Sequence, residues 1–221
     1  MQTTFLSGGR TIRLNVTEPA TPGPHPAILL LHGAGGNVDF WLDRISPFIE
    51  RLGIAIYAVH YFDRTGTIRA DLPTLSDGVH VPLWIDTLRD TLAHLRTRAA
   101  VNPQRIALIG ISLGAFLSLA LAAEASASQA TVARCIVDIS GGLVRPYSER
   151  ATSAFPPTLI LHGDADTVVG LYHAENLQTL LKQLDVSHEA QILPEEGHYF
   201  SPAAQTRILI AIAAFLKRHL V

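Results

Sequence analysis

A serine between two glycines, a pair of aspartates after a later apolar run and a histidine after the next run could together carry out acyl transfer at a carbonyl carbon. The serine is Ser112 in Gly110-Ile111-Ser112-Leu113-Gly114, the aspartates are Asp164 and Asp166 in LILHGDADTVV, and the histidine is His198 in ILPEEGHYF. A serine hydroxyl is a weak nucleophile near neutral pH and needs a base within hydrogen-bond reach, itself oriented by a carboxylate. Charge developing on the carbonyl oxygen needs donors as well. LLLHGAGGN sets a glycine-rich turn straight after an apolar run, so the amides of Ala34 and Leu113 are the expected oxyanion donors. A phosphate cradle would call for G-x-x-x-x-G-K-[ST] or G-x-G-x-x-G, and the turn is neither.

These residues can meet only if buried strands end where they stand. Short aliphatic runs alternate with stretches of helical period, which predicts βαβ units and a doubly wound, mostly parallel α/β sheet. The strand candidates are AILLLHG, IAIYAVH, RIALIGI, CIVDIS, TLILHG and EAQIL. TTFLSGGRTIRLNV reads instead as two strands around Ser7-Gly8-Gly9, an antiparallel hairpin at one sheet edge. Ser46-Pro47 is the expected start of a helix that Gly53 ends. Leu88, Leu92 and Leu95 stripe a helix over 81–101, stopped by Asn102-Pro103, and Leu177, Leu180, Leu181 and Leu184 stripe another. The last helix starts at Ser201-Pro202, buries Leu209, Ile212 and Leu216, and ends in Lys217, Arg218 and His219, cations suited to a helix C-terminus. In such sheets ligands collect at the strand C-termini. A reversal from RIALIGI into an Ala/Leu-rich helix forces Ser112 into a strained backbone, and the flanking glycines remove the collisions that side chains would cause.

The motifs LHGAGG (31–36), GISLG (110–114), LHGDADTVV (161–169) and GHYF (197–200), in the chain order Ser, Asp, His, resemble those of the α/β-hydrolase superfamily, and within it the dienelactone hydrolase-type serine hydrolases. The similarity runs from the first hairpin to the last helix. It implies an α/β-hydrolase fold, and its H-G-x-x-D pattern places the acid at Asp166; the polar loops 61–78 and 141–157 are too short to hold a large cap domain. The founding members of the dienelactone group use a cysteine nucleophile where this chain has Ser112.

Length and composition fit one domain over 1–221. Apolar residues make up 48% and charged residues 16%, with a net charge of −2. The longest apolar run, Ile208 to Leu216, falls well short of the roughly 20 residues that span a bilayer. No secretory signal opens the chain, so a cytoplasmic location is expected, with no membrane association. No Lys/Arg cluster stands in the sequence to bind nucleic acid. Cys135 is the sole cysteine, which rules out an internal disulfide. No histidine shows metal-ligand spacing, so neither metal nor cofactor is expected. His32 and His162 are expected to hydrogen-bond at strand ends, Asp164 to close a turn, and Glu195 and Glu196 to form a solvated pair. Two long polar stretches, 61–78 and 141–157, follow strand ends and should border an open pocket. They carry Arg64, Arg69 and Arg145, and Arg64 or Arg145 could pair with a substrate carboxylate; solvated loop arginines are the plainer reading. The expectation is a serine hydrolase of small to medium carboxylic esters. Thioesterase, amidase or peptidase, and acyltransferase activities use the same chemistry, and a noncatalytic binding protein is the alternative from another class.

Overall fold

The computed structural model describes residues 1–221. Eight strands form one sheet: β1 (Gln2–Ser7), β2 (Arg10–Thr17), β3 (His25–Leu31), β4 (Ala55–Val59), β5 (Val101–Ile111), β6 (Cys135–Ile139), β7 (Thr158–Gly163) and β8 (His188–Leu193), in the order β1-β2-β4-β3-β5-β6-β7-β8. Strands β3 to β8 run parallel, and the β1–β2 hairpin joins antiparallel through β2 against β4. The helices are α1 (Val38–Ile49), α2 (Leu72–Ser76), α3 (His80–Arg96), α4 (Leu113–Ala127), α5 (Tyr172–Gln183) and α6 (Pro202–His219).

A parallel sheet covered on both faces needs strands that are apolar on both sides, which is why the central strands β3 to β7 read as aliphatic runs, whereas the edge strand β8 is largely exposed. Successive residues separate by face. Leu29, Leu31, Tyr57 and Leu108 pack toward α3, α4 and α5, whereas Ile28, Leu30, Ile56 and Ile109 pack toward α1 and α6. The central helix α4 is buried nearly all round, so its Ala/Leu composition has no polar face to spare. No large cap covers the C-terminal edge of the sheet. The 61–78 stretch folds into a 3-10 turn at Tyr61–Arg64 and the short α2, and 141–157 holds only a second 3-10 turn at Tyr147–Arg150. No helix is long and apolar enough to cross a membrane.

Three local expectations are corrected. Helix α1 begins at Val38 and runs through Pro47 rather than starting there. Ser46 is no cap, because its hydroxyl donates to the Leu42 carbonyl at 2.7 Å. Burial of Val38, Ile45 and Ile49 against the sheet outweighs the one helical bond that proline removes. Gly53 does end this segment, in the left-handed conformation at φ 68°. Pro103 does not separate helix from strand but lies inside β5, where the register against β3 shifts between His25 and Ala27 and no ladder donor is needed. In α6 it is Ile208 that is buried, with Leu209 only partly so.

Candidate active site

Ser112 occupies the turn between β5 and α4 with φ 52° and ψ −119°, a region that non-glycine residues rarely adopt. Surrounding bonds hold it there: its amide donates to the Ile139 carbonyl at 2.8 Å, and its carbonyl accepts from the Ala115 amide at 2.9 Å. A Cβ on Gly110 would stand 2.5 Å from the Ala115 nitrogen, and one on Gly114 would stand 2.4 Å from the Leu31 carbonyl oxygen. Both obstacles are backbone and cannot yield as a side chain would. The glycines therefore admit the sharp reversal that lifts the serine hydroxyl out at the sheet edge.

The imidazole of His198, on the loop after β8, reaches this hydroxyl. Its Nε2 stands 3.1 Å from Ser112 Oγ and its Nδ1 2.7 Å from Asp166 Oδ2. A carboxylate on Nδ1 fixes the tautomer in which Nδ1 carries the proton and Nε2 accepts from the serine. The other oxygen of Asp166 accepts from the amides of Val168 and Val169, both at 2.8 Å. Burial pushes the Asp166 carboxyl upward, but the Val169 amide, the His198 ring and the Val168 amide together outweigh it and hold it below its ordinary value. Asp166 thus stays a carboxylate beside the ring.

Asp164 plays a different part, since its Oδ1 accepts from the Glu195 amide at 2.6 Å and so ties the β7 turn to the loop that carries His198. Glu196 turns away from the imidazole and accepts from the amide of Ser201 at 2.7 Å, at the start of α6. His162 Nε2 meets the Val169 carbonyl at 2.8 Å and braces the turn around Asp166. His32 bonds through Nδ1 to the Gly33 carbonyl at 2.8 Å and stacks on Tyr61 with centroids 4.1 Å apart. Burial drives its pKa down to about 4, so it is neutral under ordinary conditions. No three His, Cys, Asp or Glu side chains converge as a metal would require.

The glycine-rich turn after β3 lies directly against the serine, close enough that a Cβ on Gly33 would be 3.3 Å from Ser112 Cβ. The amides of Ala34 and Leu113 donate to no protein acceptor, Leu113 because it opens α4 and lacks a preceding turn. Ala34 and Ser112 line one cavity of about 210 Å³, together with Asn37, Trp41, Arg69 and Tyr199. Arg64 and Arg145 are not among its walls. The Arg64 guanidinium donates to the Ser7 carbonyl and braces the hairpin, and Arg145 pairs with Glu149 in solvent with 85% of its side chain exposed. Arg69 is the loop arginine that reaches the cavity. Sequence reasoning also passed over Ser140, which lines the cavity at φ 51° with a buried, unpartnered hydroxyl; no motif signals it. A larger concavity of about 620 Å³ opens at the opposite edge of the sheet among Arg96, Arg105 and Arg134. It holds neither Ser112 nor the His198 imidazole, so the candidate site is not the largest concavity.

The profile of the phospholipase/carboxylesterase family matches residues 13–220. YfhR of Escherichia coli O157:H7 is 29% identical over 186 residues, covering 75% of this chain and 62% of that protein. Acyl-coenzyme A thioesterase 1 of Mus musculus is 27% identical over 150 residues, covering 68% of this chain and 32% of that protein. The chain therefore spans less than two thirds of the length of either relative. Among solved structures, a dienelactone hydrolase-like promiscuous phosphotriesterase from metagenomic libraries superposes with a TM-score of 0.81 at 18% identity, over 100% of this chain and 98% of that one.

Proposed function

Because this chain belongs to the phospholipase/carboxylesterase family and has the α/β-hydrolase fold, we propose that it is a serine hydrolase of small to medium carboxylic esters, with Ser112, His198 and Asp166 as its catalytic triad. The observation that carries the reading is the continuous chain from Ser112 Oγ through the imidazole to Asp166, ending in the same cavity as an amide with no other partner.

In the proposed reaction His198 Nε2 takes the serine proton as Oγ attacks the carbonyl carbon. The amides of Ala34 and Leu113 donate to the oxyanion of the tetrahedral intermediate. His198 then gives the proton to the departing alcohol. Water enters, loses a proton to the same nitrogen and releases the acyl group from Ser112. Asp166 keeps its charge throughout and stabilises the imidazolium in the low-dielectric turn. The open cavity and the lack of a large cap favour substrates that enter from solvent without a lid movement.

The similarity to an acyl-coenzyme A thioesterase supports a second reading, in which the leaving group is a thiol. A panel of p-nitrophenyl acyl esters, acyl thioesters and aminoacyl anilides separates the two. The ester reading expects kcat/KM for esters to exceed that for matched thioesters and anilides at least tenfold, with turnover lost in Ser112→Ala. Faster thioester turnover would transfer the assignment, and no turnover of any acyl compound would reject hydrolysis.

A further inference from the structure

The broad concavity of about 620 Å³ at the opposite edge of the sheet gathers charge that the sequence scatters. Arg96 ends α3, Arg105 stands in β5, Arg134 precedes β6 and Arg218 lies in the last turn of α6, yet all four border this one hollow. No aspartate or glutamate side chain lines it, and the one carboxylate at its wall is the main-chain carboxylate of Val221. The whole chain has a net charge of −2, so a hollow walled by cations runs against the overall balance.

Two of these guanidiniums are occupied. Arg218 pairs with Glu189 at 2.7 Å, and Arg96 donates to the Val132 carbonyl at 2.8 Å. Both also stand at helix C-termini, where a cation offsets the partial negative charge of the last carbonyls. Arg105 and Arg134 have no such role. Neither forms an ion pair, and neither belongs to a helix. The fold nevertheless holds them close, because β5 and β6 are paired and the Arg134 amide donates to the carbonyl of Ile106, next to Arg105, at 2.7 Å. Two like charges that face one hollow without a carboxylate partner repel each other, and an anion between them removes that cost.

We propose that this hollow binds a small organic diphosphate, of the size of a nucleoside diphosphate, at a site separate from the reaction cavity. A guanidinium presents parallel N–H donors to two oxygens of one phosphate, so two unpaired guanidiniums suit two phosphate groups. The volume falls within the roughly 300–1,000 Å³ of small-molecule sites and leaves room for an organic group beside the phosphates. Gln104 and Thr131, also at the wall, offer that group an amide and a hydroxyl. The concave shape suits a soluble molecule, since a flat layer of lipid headgroups does not enter a hollow. His219 lines the hollow too and reports on its field: burial lowers its pKa, Glu189 raises it, and Arg218 and Arg134 push it down again. A bound diphosphate should raise it.

Binding here is independent of the hydrolysis proposed above. The test is calorimetric titration of ADP, AMP and sodium sulfate, at matched ionic strength, into the unmodified protein, Arg105→Gln, Arg134→Gln, Arg69→Met and Ser112→Ala. Arg105 and Arg134 are exposed, so their variants should fold. ADP should bind the unmodified protein, and loss of one phosphate, as in AMP, or of Arg105 or Arg134 should weaken binding about tenfold, the effect of one charge-assisted contact. Arg69→Met and Ser112→Ala should bind ADP as the unmodified protein does. In NMR titrations the His219 imidazole should show a higher pKa with ADP than without. No binding of ADP, equal binding of ADP and sulfate, or ADP binding that survives both Arg105→Gln and Arg134→Gln overturns the proposal. Co-sedimentation with phosphatidylglycerol vesicles that those two variants abolish, without ADP binding, would assign the arginines to a lipid headgroup and overturn it as well.

Discussion

Replacing Asp138 by asparagine should change how stability depends on pH, in a direction set by where this carboxyl sits. Asp138 is on β6 with Gly110 and Ile160 as its register partners, has no exposed surface, and neither carboxyl oxygen has a hydrogen-bond partner of ordinary geometry. Burial pushes its pKa from 3.8 up to about 7, opposed weakly by the nearby Gly141 amide. The native protein therefore holds a proton that the unfolded chain releases. That contribution is fully present below about pH 4 and is lost as the pH rises through 7. Roughly three units at 1.36 kcal/mol each amount to about 4 kcal/mol. His32 acts in the opposite sense. Its pKa is lowered by burial from 6.5 to about 4, so the unfolded chain takes up a proton that the native state refuses. Stability from this group rises by about 3 kcal/mol between pH 4 and 6.5. The two slopes nearly cancel in the unmodified protein below pH 6.5. Asp138→Asn removes one of them, so its stability should climb relative to the unmodified protein by about 4 kcal/mol between pH 4 and 8. Urea denaturation at half-unit steps across that range measures the difference directly. Parallel curves for the two proteins would refute the claim that Asp138 is buried as a neutral acid.

Other substitutions test the placement of the site. Gly114→Ala drives a methyl group onto the carbonyl oxygens of Leu31 and His32, and should cost about 1–3 kcal/mol in thermal or urea melts while lowering kcat at least about tenfold. Asp166→Asn should lower kcat by about 10⁴. Asp164→Asn should lose little, because its retained oxygen can still accept from the Glu195 amide; the reverse ranking in folded variants would exchange their roles. Arg145→Met should leave the kcat/KM ratio between an ester bearing a free carboxylate and its methyl-capped analogue unchanged, whereas Arg69→Met should lower it, since only Arg69 reaches the cavity.

The ends of the central strands were legible because β3 to β7 are buried on both faces. A run such as LILHG has no second reading once helices alternate with it, and a polar residue at its end must stand at the sheet edge. Gly110 and Gly114 announced the reversal at Ser112 because a side chain at either place meets backbone within about 2.5 Å. Choices within a loop were not legible in the same way. Arg64 and Arg69 share one irregular stretch, and no periodicity says that the first is taken by the Ser7 carbonyl, far away in the chain. Asp164 and Asp166 stand two apart after one strand, and a residue-type argument leaves both open. The H-G-x-x-D resemblance points to Asp166, and the fold sets the imidazole 2.7 Å from that residue and the Glu195 amide 2.6 Å from Asp164. The start of α1 was misplaced because Ser46-Pro47 is a good local signal that long-range packing overrides. Ser140 carried no signal at all, since its left-handed backbone and unpartnered hydroxyl arise from how β6 ends beside Leu161.

The proposed hydrolysis depends above all on the nucleophilicity of the Ser112 hydroxyl. Incubation with a fluorophosphonate, followed by proteolysis and mass spectrometry, should place a single covalent adduct on the peptide containing Ser112. Labelling should slow sharply in His198→Ala, which lacks the proposed base, and vanish in Ser112→Ala with the fold intact. Labelling of Ser112→Ala to the same extent, or an unmodified Ser112 in a protein that still turns over esters, would contradict the account.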